Sequence, residues 1–290
     1  MYILDTSAVR GISGARLRAA AERVDIAIST LSVLELASHL NDSDDDAKYL
    51  RARGNFLKCQ ALEMLDDPFW MFSRQGDLPV NAARKEDRPV LQQLIAKVEQ
   101  SQTLAELGAQ TLVYPDGATA SCNEVGKRIA EILHDEEESF VSSIQRFSEI
   151  AELTPEQNGT HCLTADALFK ILMSSTDTLE TRADSNLRAK TFFATAPYAG
   201  YILHRLYLYA NRRPVGETKL NIDRNDCEDA YISLSLSLNA DDTLVTSDEG
   251  TLDALKGTIL LLNEVFPAPF SLDHVMSSED FLRLVESEIE

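Results

Sequence analysis

Two stretches with the same pattern decide the fold: MYILDTSAV at residues 1–9 and DTLVTSDEG at residues 242–250. Each is a short apolar run, typical of a buried strand, that ends on an aspartate, Asp5 in one case and Asp248 in the other. Hydroxyl residues stand beside both acids, namely Thr6 and Ser7 in the first stretch and Thr246 and Ser247 in the second. A carboxylate at the end of a strand either caps the helix that follows or belongs to a site.

Strands and helices alternate around both stretches. Residues 2–4 and 25–29 read as strands, and the helical segments SGARLRAAAERV (13–24) and TLSVLELASHL (30–40) follow them. This order is typical of a parallel sheet. The alternation resumes near the other end with TKLNI (218–222), DTLVTSD (242–248) and TILLLNEVF (258–266) as strands.

The intervening segment shows helical periodicity and no persuasive strand. It begins at the acidic loop NDSDDD (41–46) and includes an aromatic stretch, DDPFWMFSRQGDLP (66–79), that reads as a loop. The sequence therefore predicts one discontinuous α/β domain, residues 1–41 and 186–290, interrupted by an all-helical insertion at 42–185. A long apolar helix follows the insertion, and we expect Pro197 to kink or restart it.

Composition restricts the class of protein. The chain has 290 residues, a net charge of −20 and four widely spaced cysteines, which is neither a disulfide framework nor a zinc ligand set. No apolar run approaches the roughly 20 residues that span a bilayer, and Asp5 interrupts any signal-peptide pattern, so we expect a cytoplasmic protein. Eight basic and three acidic residues lie between Arg182 and Arg224. Such a segment is compatible with an anionic ligand, although the net charge also suits a basic protein partner.

Several acids are expected to meet at the carboxyl edge of the sheet, without Lys or Arg between them. They are Asp5, Glu35, Asp226, Asp229 and Asp248. Converging carboxylates repel one another, and the usual reason to assemble them is a hard divalent cation such as Mg²⁺ or Mn²⁺. The four neighbouring hydroxyls, Thr6, Ser7, Thr246 and Ser247, are then candidates to orient waters or phosphate oxygens.

Simpler interpretations exist for each acid alone. Asp5 fits a helix cap, Ser32 with Glu35 fits a capping box, and the helix dipole favours Asp226 and Asp229 at a helix start. These interpretations do not explain jointly why acid and hydroxyl residues end both buried strands.

The motifs YILDTSAV, STLSVLELA, DAYISLSLSL and LVTSD resemble those of the PIN-domain nucleases, metal-dependent ribonucleases that include toxins of bacterial toxin–antitoxin pairs. The resemblance covers about residues 1–41 and 186–265. It implies a three-layer α/β/α sandwich with a central parallel sheet and a Mg²⁺ or Mn²⁺ site. By position, Asp5, Glu35, Asp229 and Asp248 match the four catalytic acids of the family, and Asp226 is an additional candidate ligand.

Substrate contacts are predicted in the basic segment. Arg205, Arg212 and Arg213 are candidates for binding phosphate. Four nearby tyrosines suit base stacking, although a core helix explains them better; they are Tyr198, Tyr201, Tyr207 and Tyr209.

The predicted function is metal-dependent hydrolysis of phosphodiester bonds in RNA, with DNA as a second candidate substrate. The alternative is a noncatalytic PIN-fold scaffold. The expected partners are RNA and a basic protein or antitoxin-like inhibitor, with a homodimer as a candidate assembly and no membrane.

Overall fold

A computed structural model describes residues 1–41, 45–75, 87–150, 162–177, 182–214, 217, 219–267 and 270–287, without the side chains of 87 and 146–150. Within these ranges the strands are β1 (Tyr2–Leu4), β2 (Ile26–Ile28), β3 (Glu63–Met64), β4 (Thr111–Val113), β5 (Thr119–Ser121), β6 (Thr243–Thr246) and β7 (Val275–Ser277). The helices are α1 (Thr6–Gly11), α2 (Gly14–Ala21), α3 (Thr30–Ser38), α4 (Asp46–Phe56), α5 (Pro68–Gln75), α6 (Asp87–Gln100), α7 (Leu104–Gly108), α8 (Cys122–Ile150), α9 (Ala165–Ser175), α10 (Ser185–Arg212), α11 (Asp226–Ile232), α12 (Glu249–Val265) and α13 (Ser278–Ser287).

Five parallel strands form the main sheet in the order β3-β2-β1-β6-β7. In its centre, Leu4 of β1 is in register with Ile28 of β2 and with Val245 of β6. All three side chains are fully buried, which explains why these strands are apolar without alternation. The predicted α/β class with a parallel sheet is confirmed. Both ends of the chain contribute to this one sheet, because β1 pairs directly with β6.

The prediction that residues 42–185 are all helical is wrong. Strand β3 lies in this segment and extends the main sheet, with Ala27 opposite Glu63 and Ile28 opposite Met64. In addition, β4 and β5 form an antiparallel hairpin. Two- and three-residue strands are too short to show a period in the sequence, which is why the pattern missed them. The division into two domains stays a prediction.

Three further element assignments need correction. Residues 258–265 are the second half of helix α12, not a strand, and the last strand is β7. The helix buries Leu255, Ile259 and Leu262, which lie three or four positions apart. The aromatic stretch predicted as a loop contains helix α5, while residues 76–79 of it lie outside the described residues. Residues 219–222 form no strand, and 218 is not described.

Helix α10 runs unbroken through Pro197 and packs closely on α12. Gly200 makes this approach possible, because a Cβ atom there would lie 2.2 Å from the side chain of Thr258. The close packing carries the next residue, the fully buried Tyr201, toward the edge of the sheet. Within the part of the chain that the structure describes, no helix combines the length and apolarity that a membrane crossing requires.

Candidate functional site

The ends of β1 and β6 are joined through hydroxyl groups. The Ser7 hydroxyl lies 2.8 and 2.9 Å from the two carboxylate oxygens of Asp5, and it accepts the backbone N–H of Ser247 at 2.8 Å. It also lies 3.2 Å from the hydroxyl of Thr246. Two acids that stand 243 positions apart in the sequence, Asp5 and Asp248, therefore follow neighbouring strands at one edge of the sheet.

Both strand-end acids cap helices. Asp5 Oδ1 accepts the backbone N–H of Ala8 at 2.7 Å at the start of α1, and Asp248 Oδ1 accepts that of Thr251 at 2.7 Å at the start of α12. The capping interpretation is thus confirmed for these two residues. The proposed capping box is wrong, because the residue that caps α3 is Ser29 and not Ser32.

A cavity of about 440 Å³ opens at this edge of the sheet. We name it the strand-end cavity, and its polar and charged lining consists of Thr6, Ser7, Arg10, Glu35, Ser38, His39, His134, Glu137, Asn225, Glu228, Asp229 and Asp248. Three of the four predicted catalytic acids, Glu35, Asp229 and Asp248, line it. Asp5 is 2% exposed and lies beneath the lining, where Ser7 covers it.

Burial and neighbouring charges raise the pKa values of several acids at this edge of the sheet. Burial, followed by the charge of Asp5, raises the pKa of Asp229 to about 8. Burial also raises the pKa of Asp5 to about 6, although its hydrogen bonds oppose the shift. The pKa of Glu228 rises to about 9, first through burial and then through the charge of Glu35. These carboxyl groups therefore favour a bound proton or a cation over the free anionic state.

Asp226 and Arg205 bind each other. The guanidinium donates from Nε and Nη2 to the two oxygens of Asp226, each at 2.6 Å, and both side chains are largely buried. The phosphate contact of Arg205 and the metal contact of Asp226 stay predictions, and each would have to form beside this ion pair. The expectation that no Lys or Arg lies among the acids is wrong, because Arg205 on α10 donates to Asp226. Arg205 stands 21 positions earlier in the sequence.

The other two candidate arginines lie elsewhere. Arg212 and Arg213 are at the end of α10, seven or more residues beyond Arg205, which is about 10 Å along a helix. Neither lines the strand-end cavity. Their role in phosphate binding stays a prediction. Of the four tyrosines on this helix, Tyr201 and Tyr209 are buried in the core, as the core-helix interpretation expects.

The sequence did not reveal several residues of the cavity. Glu137 and His134 come from α8, which lies in the segment predicted as an insertion. Arg10 lies 3.7 Å from Glu35, and Glu228 precedes Asp229. Helical spacing offers one signal. Ile129 and Leu133 are buried on one face of α8, and Glu137, four positions after Leu133, lies on the same face. Residues of α8 thus form one wall of the candidate site.

The donor chemistry suits a hard cation, but the ligands are not assembled. No group of three Asp, Glu, His or Cys side chains among the described residues is close enough to hold a metal ion as it stands. Carboxylates with raised pKa values nonetheless line the cavity, and the buried hydroxyl of Thr6 beside them has no hydrogen-bond partner. Oxygen donors of this kind fit Mg²⁺ or Mn²⁺ in type. Binding would require the acidic side chains to move closer together.

Comparisons of the chain with protein-family models, with curated proteins and with solved structures find no match. The resemblance to PIN-domain nucleases consequently stands on the sequence motifs alone.

Proposed function

We propose that this protein is a metal-dependent phosphodiester hydrolase that acts on RNA. One observation carries the proposal: three separate segments bring Glu35, Asp229 and Asp248 to one cavity, with Asp5 directly beneath it. Holding these anions together costs folding free energy, as the raised pKa values of Asp5 and Asp229 indicate. A cation in the cavity would offset that cost.

In this proposal Asp5, Glu35, Asp229 and Asp248 hold Mg²⁺ or Mn²⁺. A divalent cation so held lowers the pKa of a bound water and stabilises charge on a phosphoryl group. Ser7 keeps Asp5 oriented through its hydroxyl, and Thr246 and Ser247 keep Ser7 in place. The hydroxyl of Thr6 has no hydrogen-bond partner among the described residues, but it is buried, so a water or a phosphate oxygen would reach it only after the cavity lining moves.

The choice of RNA rests on the resemblance to PIN nucleases, so the assay includes DNA. A noncatalytic scaffold is the second candidate, and two observations favour it: no metal-ready trio exists among the described residues, and the Arg205 guanidinium pairs with one of the acids. A net charge of −20 supports a basic protein as the partner in either case.

Cleavage of a mixed pool of single-stranded RNA and DNA separates the two candidates. We expect RNA cleavage with Mn²⁺ or Mg²⁺ and none in excess chelator. Asp5→Asn should abolish it with an unchanged circular dichroism spectrum, because Asn caps a helix as well as Asp does. Asp166→Asn is the matched control, since Asp166 is an exposed acid on α9 that only pairs with Lys170. Cleavage that persists in chelator, or in Asp5→Asn, would refute the mechanism.

A further inference from the structure

A hydrogen-bonded chain lies behind the strand-end cavity and ends on Asp229. The Tyr201 hydroxyl lies 3.3 Å from Asp226 Oδ1 and 3.4 Å from Asp229 Oδ2. Arg205 stands four positions further along α10, so it shares a face with Tyr201, and it donates to both oxygens of Asp226, including the Oδ1 that Tyr201 approaches. The chain therefore runs from Arg205 through Asp226 and Tyr201 to Asp229.

A phenol carries one proton, so Tyr201 can donate to one of the two carboxylates at a time. Asp226 already accepts two N–H groups from Arg205, whereas Asp229 accepts a single short hydrogen bond, from the Thr251 hydroxyl at 2.8 Å. Asp229 therefore has more unused hydrogen-bond acceptor capacity than Asp226 for the proton of the Tyr201 hydroxyl. Because Arg205 already donates two hydrogen bonds to Asp226, the Tyr201 hydroxyl can donate to Asp229.

Arg205 also supplies positive charge close to Asp248. A Cβ atom at Gly250 would lie 2.8 Å from Arg205 Nη1 and 3.1 Å from Asp248 Oδ1, so the two side chains approach the same point. The absence of a side chain at Gly250 provides the space. A permanently charged guanidinium therefore stands beside two of the acids, Asp226 behind the cavity and Asp248 in its lining.

We propose that Tyr201 and Arg205 are positioning residues: they fix the Asp229 carboxylate for a divalent cation, Tyr201 directly and Arg205 by engaging Asp226. This inference rests on the proposed function. It assigns Arg205 a role in holding the site instead of the phosphate contact that the sequence predicts. Partners that orient a metal ligand change metal affinity about 10- to 100-fold when they are removed.

The test is the affinity for Mn²⁺ alone, measured by isothermal titration calorimetry at a temperature where circular dichroism shows each variant folded. Tyr201→Phe removes the hydroxyl and keeps the ring, and we expect its Kd for Mn²⁺ to rise about tenfold. Tyr198→Phe is the matched control, because Tyr198 lies one turn earlier on α10 and stacks on Tyr231; its Kd should stay within about twofold of wild type. Arg205→Lys keeps the charge and should lose less affinity than Arg205→Gln.

The outcomes separate this inference from the proposed function. If the wild type binds Mn²⁺ and Tyr201→Phe binds it equally well, the positioning role is refuted while the metal site stands. A lower melting temperature in chelator with an unchanged Kd would show that Tyr201 only stabilises the fold, which also refutes it. If the wild type binds no Mn²⁺, both the proposed function and this inference fail. Should Arg205→Gln not fold, Tyr201→Phe still decides the question.

Discussion

Asp229→Asn is the most informative single substitution, because it removes a charge and keeps the hydrogen bonds. The Thr251 and Tyr201 hydroxyls both approach Oδ2 of Asp229, at 2.8 and 3.4 Å. The amide oxygen of Asn can take the place of Oδ2 and accept from both. What changes is the ionisable carboxyl group near Asp5 and Asp248, whose charges raise the pKa of Asp229 after burial.

The expected effect is a gain in stability without metal. The pKa of Asp229 is 3.8 in an ordinary environment and about 8 in the fold. The folded state therefore binds more protons than the unfolded state between these values, so the wild type loses stability as pH rises through this window. A pH of 7 lies about three units above the ordinary pKa of 3.8. The stability that the wild type loses over these three units is at most about 4 kcal/mol. Because Asp229 is partly exposed at the cavity, we expect about 1–3 kcal/mol, or a rise in melting temperature of about 2–4 °C per kcal/mol.

Thermal unfolding in chelator at pH 5, 7 and 8 measures the effect. The variant should melt above the wild type, by a margin that grows with pH, and it should lose most of the Mn²⁺-induced shift of the wild type. Asp226→Asn is the control with the opposite sign, since it leaves the buried Arg205 charge without its partner and should lower the melting temperature. If Asp229→Asn melts below the wild type in chelator and still gains the full Mn²⁺ shift, Asp229 is not a ligand and the reasoning fails.

Three further expectations concern the same region. Glu228→Gln should raise the melting temperature in chelator at pH 8, because it removes a carboxyl whose pKa of about 9 reflects burial and the charge of Glu35; an unchanged melt would show that these charges are screened. The Mn²⁺ shift of the wild type should grow from pH 5 to pH 8, since the cation must displace protons from Asp5 and Asp229; a shift independent of pH would place the cation elsewhere. Gly200→Ala should lower the free energy of unfolding by about 1–3 kcal/mol, measured by denaturant titration, because its Cβ would lie 2.2 Å from Thr258. An unchanged free energy of unfolding would mean that α10 can move away from α12.

The sequence predicted the centre of the sheet because local pattern and burial agree there. Residues 2–4, 26–28 and 243–246 each contain a short apolar run that ends at a polar residue, and each is one of the three inner strands of the sheet. The acids were found for a topological reason: the carboxyl ends of parallel strands share an edge, so Asp5 and Asp248 had to be neighbours once β1 and β6 were recognised.

What the sequence could not predict depends on long-range contacts. The run at 258–266 is apolar enough to suggest a buried strand. In the structure its residues up to Val265 are helical, because packing against the rest of the protein buries one face of α12. The pairing of Arg205 with Asp226 depends on how α10 lies against α11, which no local pattern encodes. Similarly, Glu137 reaches the cavity because α8 packs on α3, a contact between elements far apart in the sequence.

The pKa of Asp5 reflects the burial of its carboxyl group as well as its role as a helix cap. A carboxylate that only caps a helix is stabilised as an anion by backbone N–H groups and by the helix N-terminus, so its pKa falls. Asp5 makes that cap, and the hydroxyls of Ser7 and Thr246 assist it, yet burial still raises its pKa to about 6. As a cap alone, Asn would serve equally well and would avoid the cost of a buried charge. The structure therefore keeps an acid where a neutral cap would avoid that cost, and the cation that we propose at the strand-end cavity would offset it.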